Sequence, residues 1–318
     1  MAQYVYVSHQ YGNTVSVIQT SSNTVVATII VGGSPEEIAI TPGGAYAYVA
    51  NYYDNTVSVI QTSNNTVVAT IAVGPNPSGV AITPDGAYAY ILSATVYYSY
   101  YGGMISIIKT SSNRVVNTIS LGSSPIMPGE FNAMVITPNG AYVYISNYNV
   151  NTVTVIQTSS NTVVTTMTIS GGPASMAMAP DGAYAYTTNY SGNTVSVIQT
   201  SSNTVVATIT GVGGTPEGIA ITPDGAYAYT TNASNNTVSV IQTSSNTVVA
   251  NITGIGRHPW VIAITPDGAY AYTGNADDNT VTVIQTSNNT VVATIAIGGL
   301  PSSIAITPSS GYLIVMIV

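Results

Sequence analysis

A chain of 318 residues with 45% hydrophobic but only 4% charged side chains can bury a large core and keeps little charge for its surface. Three basic residues (Lys109, Arg114 and Arg257) against eleven acids leave a net charge of −8. That balance excludes a nucleic-acid interface or docking on anionic lipid, since both need a basic stripe. The chain holds no cysteine, so it has no disulfide framework and no thiolate metal site. No segment approaches the ~20 apolar residues of a membrane span.

Taken from the N-terminus, Tyr4 to Val7 alternates as a strand, and two further strands run on to Ile29. The segment Val17-Ile18-Gln19-Thr20 then serves as a ruler. Its tetrad ends again at Thr62, Thr158, Thr200, Thr243 and Thr286, with the variant Ile107-Ile108-Lys109-Thr110 between. The seven copies are 42, 48, 48, 42, 43 and 43 residues apart. A period near 40–45 residues suits four strands of a propeller blade. In one period, strand A is Glu37 to Thr41, strand B Ala45 to Ala50, strand C Thr56 to Gln61 and strand D Thr66 to Ala72. Alternation and the wealth of Val, Ile, Thr and Tyr argue strand, and no amphipathic run at helical spacing is present. The expected fold is all-β: one seven-bladed β-propeller domain over residues 1–318, in four-stranded antiparallel blades, with the N- and C-terminal strands closing the ring.

The paired tyrosines of strand B, such as Tyr46/Tyr48 and Tyr227/Tyr229, share one sheet face and read as packing between blades. The Asp of each Thr-Pro-Asp-Gly turn (Asp85, Asp181, Asp224, Asp267) reads as a turn former. Asn64, Asn189, Asn232, Asn235, Asn251 and Asn288 head Asn-x-Ser/Thr sequons and are candidate glycosylation sites.

The D–A and B–C connections vary most between copies, and in a four-stranded meander both lie on one face of the disc. The longest are the B–C connection Ser93 to Gly103, with Tyr97, Tyr98, Tyr100 and Tyr101, and the D–A connection Leu121 to Ala133, with Glu130 and Phe131. Clustered tyrosine is a property of binding surfaces, so these are candidate partner-binding residues. The alternative is a loop packed on its own blade. Glu36, Ser78, Asn132, Ala174, Glu217, Trp260 and Ser302 occupy equivalent positions that should ring the channel mouth on this face. With Arg257 and His258 beside the single Trp, this region either holds a small polar ligand or glycan, or is plugged by Trp260 with Arg257 paired to a rim carboxylate. No catalytic constellation, metal set or cofactor motif is visible in spacing.

The stretch Tyr48-Val49-Ala50-Asn51, the Val-Ser-Val-Ile-Gln-Thr segments, the Thr-Val-Val-Ala-Thr-Ile strands and the Thr-Pro-Asp-Gly-Ala-Tyr turns resemble the YVTN family of β-propeller repeats. That family is best known from archaeal cell-surface and surface-layer proteins. Two departures are Gln at positions 19, 61, 157, 199, 242 and 285, where the family often has Asp, and turns without Lys. The resemblance implies a non-enzymatic extracellular or cell-surface protein working by assembly or adhesion, with other surface proteins, glycans or further copies as partners. Such a location requires a leader that this sequence does not carry. D strands such as Thr24 to Ile30 and Thr204 to Ile209 carry no charged gatekeeper, in keeping with edges used for contacts. A ligand- or receptor-binding module, viral or cellular, and a propeller enzyme such as a lactonase are the other readings. Eight B-type segments compete for seven slots, and the apolar copy Tyr312 to Val318 is a candidate for strand donation to a neighbour.

Overall fold

The computed structural model describes residues 3–97, 100–121 and 133–309, with no side-chain description for 95–101. Seven four-stranded antiparallel sheets form a ring. In blade 1 the order is Pro301–Ile306 (A), Tyr4–His9 (B), Thr14–Gln19 (C) and Thr24–Ile30 (D). Blade 2 runs Pro35–Ile40, Tyr46–Asn51, Thr56–Gln61 and Thr66–Ala72. Blades 3 to 7 open with the A strands Pro77–Ile82, Met134–Ile136, Pro173–Met178, Pro216–Ile221 and Pro259–Ile264. The A strands pack side by side and form the inner ring, so their starts surround the central channel. Among the described residues the only helical element is the single 3-10 turn Tyr148–Val150.

B and C strands sit between neighbouring blades and are buried along almost their whole length, whereas D strands alternate exposed and half-buried residues on the outer edge. Every A strand except Met134–Ile136 begins at a proline, in blade 2 two residues ahead of the expected start at Glu37. Pro35 pairs with Asn51 across a β-bulge that precedes the Ile38–Val49 pair. The bulge recurs at Pro173/Met176, Pro216/Ile219 and Pro259/Val261. The long B–C connection of blade 3 is not a loop. Its strands continue as a hairpin, Tyr88–Tyr97 with Tyr100–Lys109.

The tyrosine pairs divide. Tyr48, Tyr144, Tyr229 and Tyr272 are fully buried, while the first members Tyr46, Tyr227 and Tyr270 stay more than a third exposed. Each buried phenol donates to an Asn in the C–D turn of the next blade. The bonds run Tyr6 to Asn65 (2.6 Å), Tyr48 to Asn113 (2.8 Å), Tyr90 to Asn161 (3.2 Å) and Tyr144 to Asn203 (2.6 Å). They continue with Tyr186 to Asn246 (3.5 Å), Tyr229 to Asn289 (2.7 Å) and Tyr272 to Asn23 (3.1 Å). All seven Asn residues have positive φ, a conformation Asn tolerates better than other side-chain-bearing residues. In the A–B turns, Asp85 Oδ1 accepts from Thr83 Oγ1 at 2.6 Å and from Ala87 N at 2.9 Å, the turn-forming role expected.

Tyr4–His9 takes the B slot of blade 1, pairing with the C strand on one side and the A strand on the other. The competing copy, Tyr312 to Val318, lies outside the described residues, as does any strand donation by it. In that slot Tyr6 bonds Asn65 and His9 bonds Ser16, where other blades use an Asn amide such as Asn51 with Ser58. The C-terminal copy has Ile314 and Ile317 at the matching positions.

The ring of phenol bonds has a measurable value. Tyr229→Phe is expected to cost about 1 kcal/mol, the net worth of one such hydrogen bond. Asn289→Gly should match it, while Asn289→Ala should lose about 1 kcal/mol more, because Ala lacks the short polar side chain that lets Asn tolerate a left-handed backbone. Urea denaturation of the three variants checks the order. Equal losses for Ala and Gly would remove the turn conformation from the account.

Candidate functional site

A cavity of about 240 Å³ opens where the A strands begin, lined by Glu36, Glu37, Ser78, Glu217, Trp260 and Ser302 among others. Five of the A strands offer consecutive residues, because a bulge breaks the strict alternation of a strand and turns neighbours toward the same space. Both Glu36 and Glu37 therefore reach the cavity. The backbone of the site is pinned from the preceding blade. Ser8 Oγ donates to Glu36 O at 2.6 Å, Thr188 Oγ1 to Glu217 O at 2.7 Å and Thr231 Oγ1 to Trp260 O at 3.2 Å.

Glu217 is 2% exposed. Its Oε1 lies 3.3 Å from His258 Nε2, and its buried Oε2 has no partner. Desolvation pushes its pKa up to about 8. Glu37 is half-buried and reaches over blade 3, where Oε2 accepts Val80 N–H at 2.8 Å. A Cβ at Gly79 would sit 3.3 Å from that oxygen, so the glycine leaves the space the carboxyl uses. Desolvation outweighs the Val80 bond and lifts Glu37 to about 8 as well. Glu36 is raised for the same reason, opposed by hydrogen bonds from Gln10 (2.9 Å) and Ser34.

His258 has φ +51°, held by its N–H donating to Asn236 Oδ1 at 2.9 Å. Its Nδ1 lies 3.9 Å from Asp277 Oδ1. Trp260 lines the cavity, with its ring 6.1 Å from that of His258 and tilted by 42°. Arg257 does not line it: Nε donates to Asp278 Oδ1 at 2.7 Å and the side chain is 67% exposed. The structure thus brings Glu36, Glu217, His258 and Trp260 together and leaves Arg257 on the rim. Glu37 was missed by sequence reasoning, although a Glu-Glu doublet in so acid-poor a chain was a visible signal.

The tyrosine surface falls partly elsewhere. Tyr97, Tyr100 and Tyr101 belong to the blade 3 hairpin, while Tyr98, Glu130, Phe131 and Asn132 lie outside the described residues. Among the sequons, Asn189 and Asn232 are 1% and 0% exposed. Each donates its amide to two hydroxyls of the C strand, Thr194 and Ser196 or Thr237 and Ser239. Neither is accessible to glycosylation in the folded chain. Asn64, Asn235, Asn251 and Asn288 are exposed. No group of three or more His, Cys, Asp or Glu that could hold a metal occurs among the described residues.

The family described as Lactonase, 7-bladed beta-propeller, matches residues 161–296, a stretch that contains Glu217, His258 and Trp260 but not Glu37. No curated protein sequence matches the chain. Among solved structures, Kuenenia stuttgartiensis hydrazine synthase is 24% identical with a TM-score of 0.78, over 89% of this chain and 92% of that one. A functionally unknown protein from Desulfotomaculum acetoxidans is 21% identical with a TM-score of 0.81, over 96% and 99%. A protein assigned as a 6-phosphogluconolactonase from Bacteroides fragilis is 15% identical with a TM-score of 0.77, over 96% and 98%. At such identities these likenesses establish the seven-bladed ring and no more. The lactonase-family match corrects the expectation of a non-enzymatic surface or adhesion scaffold, and with it the expectation of no enzyme: it points to an enzyme-like propeller. Spacing along the chain does not show the site, whereas the carboxyls of Glu36, Glu37 and Glu217 converge on one cavity from separate blades of the ring.

The raised carboxyls make stability fall with pH. Glu217 titrates near 8 when folded, against ~4.3 when unfolded. Its favourable contribution is complete below the unfolded value and is lost as pH rises through 8. Asp85 and Asp224, held low chiefly by Thr hydroxyl bonds, act in the opposite sense only below their ordinary value. The melting temperature is expected to drop by several degrees from pH 5 to pH 9, and Glu217→Gln to flatten that drop. An unchanged slope in the variant would remove Glu217 as its source.

Proposed function

We propose that this protein is a propeller hydrolase that opens lactone rings at the channel mouth. The observation that carries the reading is Glu217, a buried carboxyl with one oxygen engaged by His258 and the other unpartnered, in a cavity shared with a second raised carboxyl, Glu37. The lactonase-family match over residues 161–296 supports it. Paired titratable groups with raised pKa values in a cleft are the equipment of acid–base catalysis near neutral pH.

In this reading a water held at Glu217 Oε2 attacks the lactone carbonyl carbon, and the Glu217–His258 pair takes its proton. The new bond is carbon to water oxygen, and the bond that breaks joins the acyl carbon to the ring oxygen. Glu37, neutral below about pH 8, donates its proton to the departing ring oxygen. The products are one hydroxy acid and the two residues with a proton moved between them. Trp260 offers a flat apolar face against which a ring can lie. On this account the YVTN-type repeats are the material of the ring, and the chemistry sits in connections that depart from the repeat.

Hydrolysis of simple δ-lactones by the full chain, followed by proton release, tests the reading. Glu217→Gln is expected to lower kcat/KM by ~10²–10⁴, the usual worth of a general base. Because both carboxyls titrate near 8, kcat/KM should rise toward that pH and fall above it. A variant as active as the native protein would sink the assignment.

A further inference from the structure

We infer that the substrate of this site is an uncharged, hydroxylated lactone of about monosaccharide size, and that a phosphorylated lactone is a poor one. The inference rests on the lactone-opening reading and adds the charge of the substrate.

Cation placement carries it. The whole chain has three Lys and Arg side chains, so no undescribed segment can supply another. Lys109 and Arg114 end the C strand and begin the D strand of blade 3, on either side of a C–D turn, and that turn lies on the face opposite the cavity. Arg257 gives its guanidinium to Asp278 Oδ1 and Asp277 O. Of the two histidines, His9 is buried against Ser16 in blade 1, and His258 already faces Glu217 at 3.3 Å and Asp277 at 3.9 Å. A phosphate dianion entering here would shed water and meet Glu36, Glu37 and Glu217 with no fork or ammonium to receive it. Sites that recognise phosphate are built from Arg, Lys or a backbone nest. The raised carboxyls agree with this. Surroundings that disfavour the charged forms of Glu37 and Glu217 for want of compensating charge would treat phosphate no better.

What the cavity does offer suits hydroxyl groups. Ser78 Oγ is buried without a partner, and Ser302, Ser303 and Ser175 line the same space. Trp260 supplies a stacking face beside them. The volume of about 240 Å³ is below the ~300–1,000 Å³ of sites for drug-sized ligands and suits one small ring. The same scarcity of cations favours turnover, because ring opening converts a neutral substrate into a carboxylate that finds no Arg or Lys to hold it.

The test compares kcat/KM of the full chain for glucono-1,5-lactone and for its 6-phosphate at one pH. The expected result is a preference of tenfold or more for the neutral lactone. Added salt should narrow the gap by helping only the phosphate. Trp260, the single tryptophan, gives a binding readout independent of turnover: the uncharged gluconolactam should change its fluorescence, and the lactam 6-phosphate should not at equal concentration. Equal or better turnover and binding of the phosphorylated compounds overturns the inference and leaves the lactonase reading standing. Failure to hydrolyse either lactone overturns both.

Discussion

The second tyrosine of each B strand is the contact on which the ring depends. Its aromatic body lies buried in the packing between blades and its hydroxyl bonds to the Asn of the next blade's turn, as Tyr229 does with Asn289. Seven such bonds run head to tail and return to the start through Tyr272 and Asn23. An open stack of blades would leave one phenol and one Asn unpaired, along with two sheet faces in water. The bond is neutral on both sides, so a chain with 4% charged residues can lock its blades without ion pairs. The same requirement explains why the segment with Tyr6, rather than the more apolar one with Ile314, occupies the closing blade.

That lock frees the inner ends of the A strands for variation. In five A strands the bulge after the proline gives consecutive side chains access to the channel, and hydroxyls of the preceding blade hold the carbonyls of Glu36, Glu217 and Trp260. The four-stranded plan recurs from blade to blade while the residue displayed does not: Glu in blades 2 and 6, Trp in blade 7, Ser in blades 1 and 3, Ala in blade 5. Chemistry is assembled from positions that differ among otherwise matching copies, which is how a propeller hosts a site without changing its fold.

Scarcity of cations shapes the electrostatics of that site. Buried carboxyls usually stay ionised by pairing with Arg or Lys. Here Glu217 meets only an imidazole, and Glu37 only a backbone N–H. Desolvation wins at both, and their titration moves into the range where acid–base catalysis at neutral pH is effective. A composition poor in charge therefore yields carboxyls with raised pKa values in one place.

The sequence by itself determined the ring. Seven copies of a tetrad at blade spacing, alternation of period two and turns of fixed chemistry leave one architecture, because strand period and turn geometry are local properties. It also placed Glu36, Glu217 and Trp260 at the channel mouth by their equivalence between copies. It did not reveal that Glu37 faces the same space, since strict alternation would turn neighbours apart and only the bulge brings them together. Nor did it reveal that Asn189 and Asn232 are internal hydrogen-bond donors, because a sequon reads the same whether its amide is in water or spent on two hydroxyls. The meeting of His258 with Glu217, 41 residues apart, was decided by tertiary structure alone. It arises from the curvature of the closed ring, which brings the D–A connections of separate blades to one mouth and which no local pattern encodes.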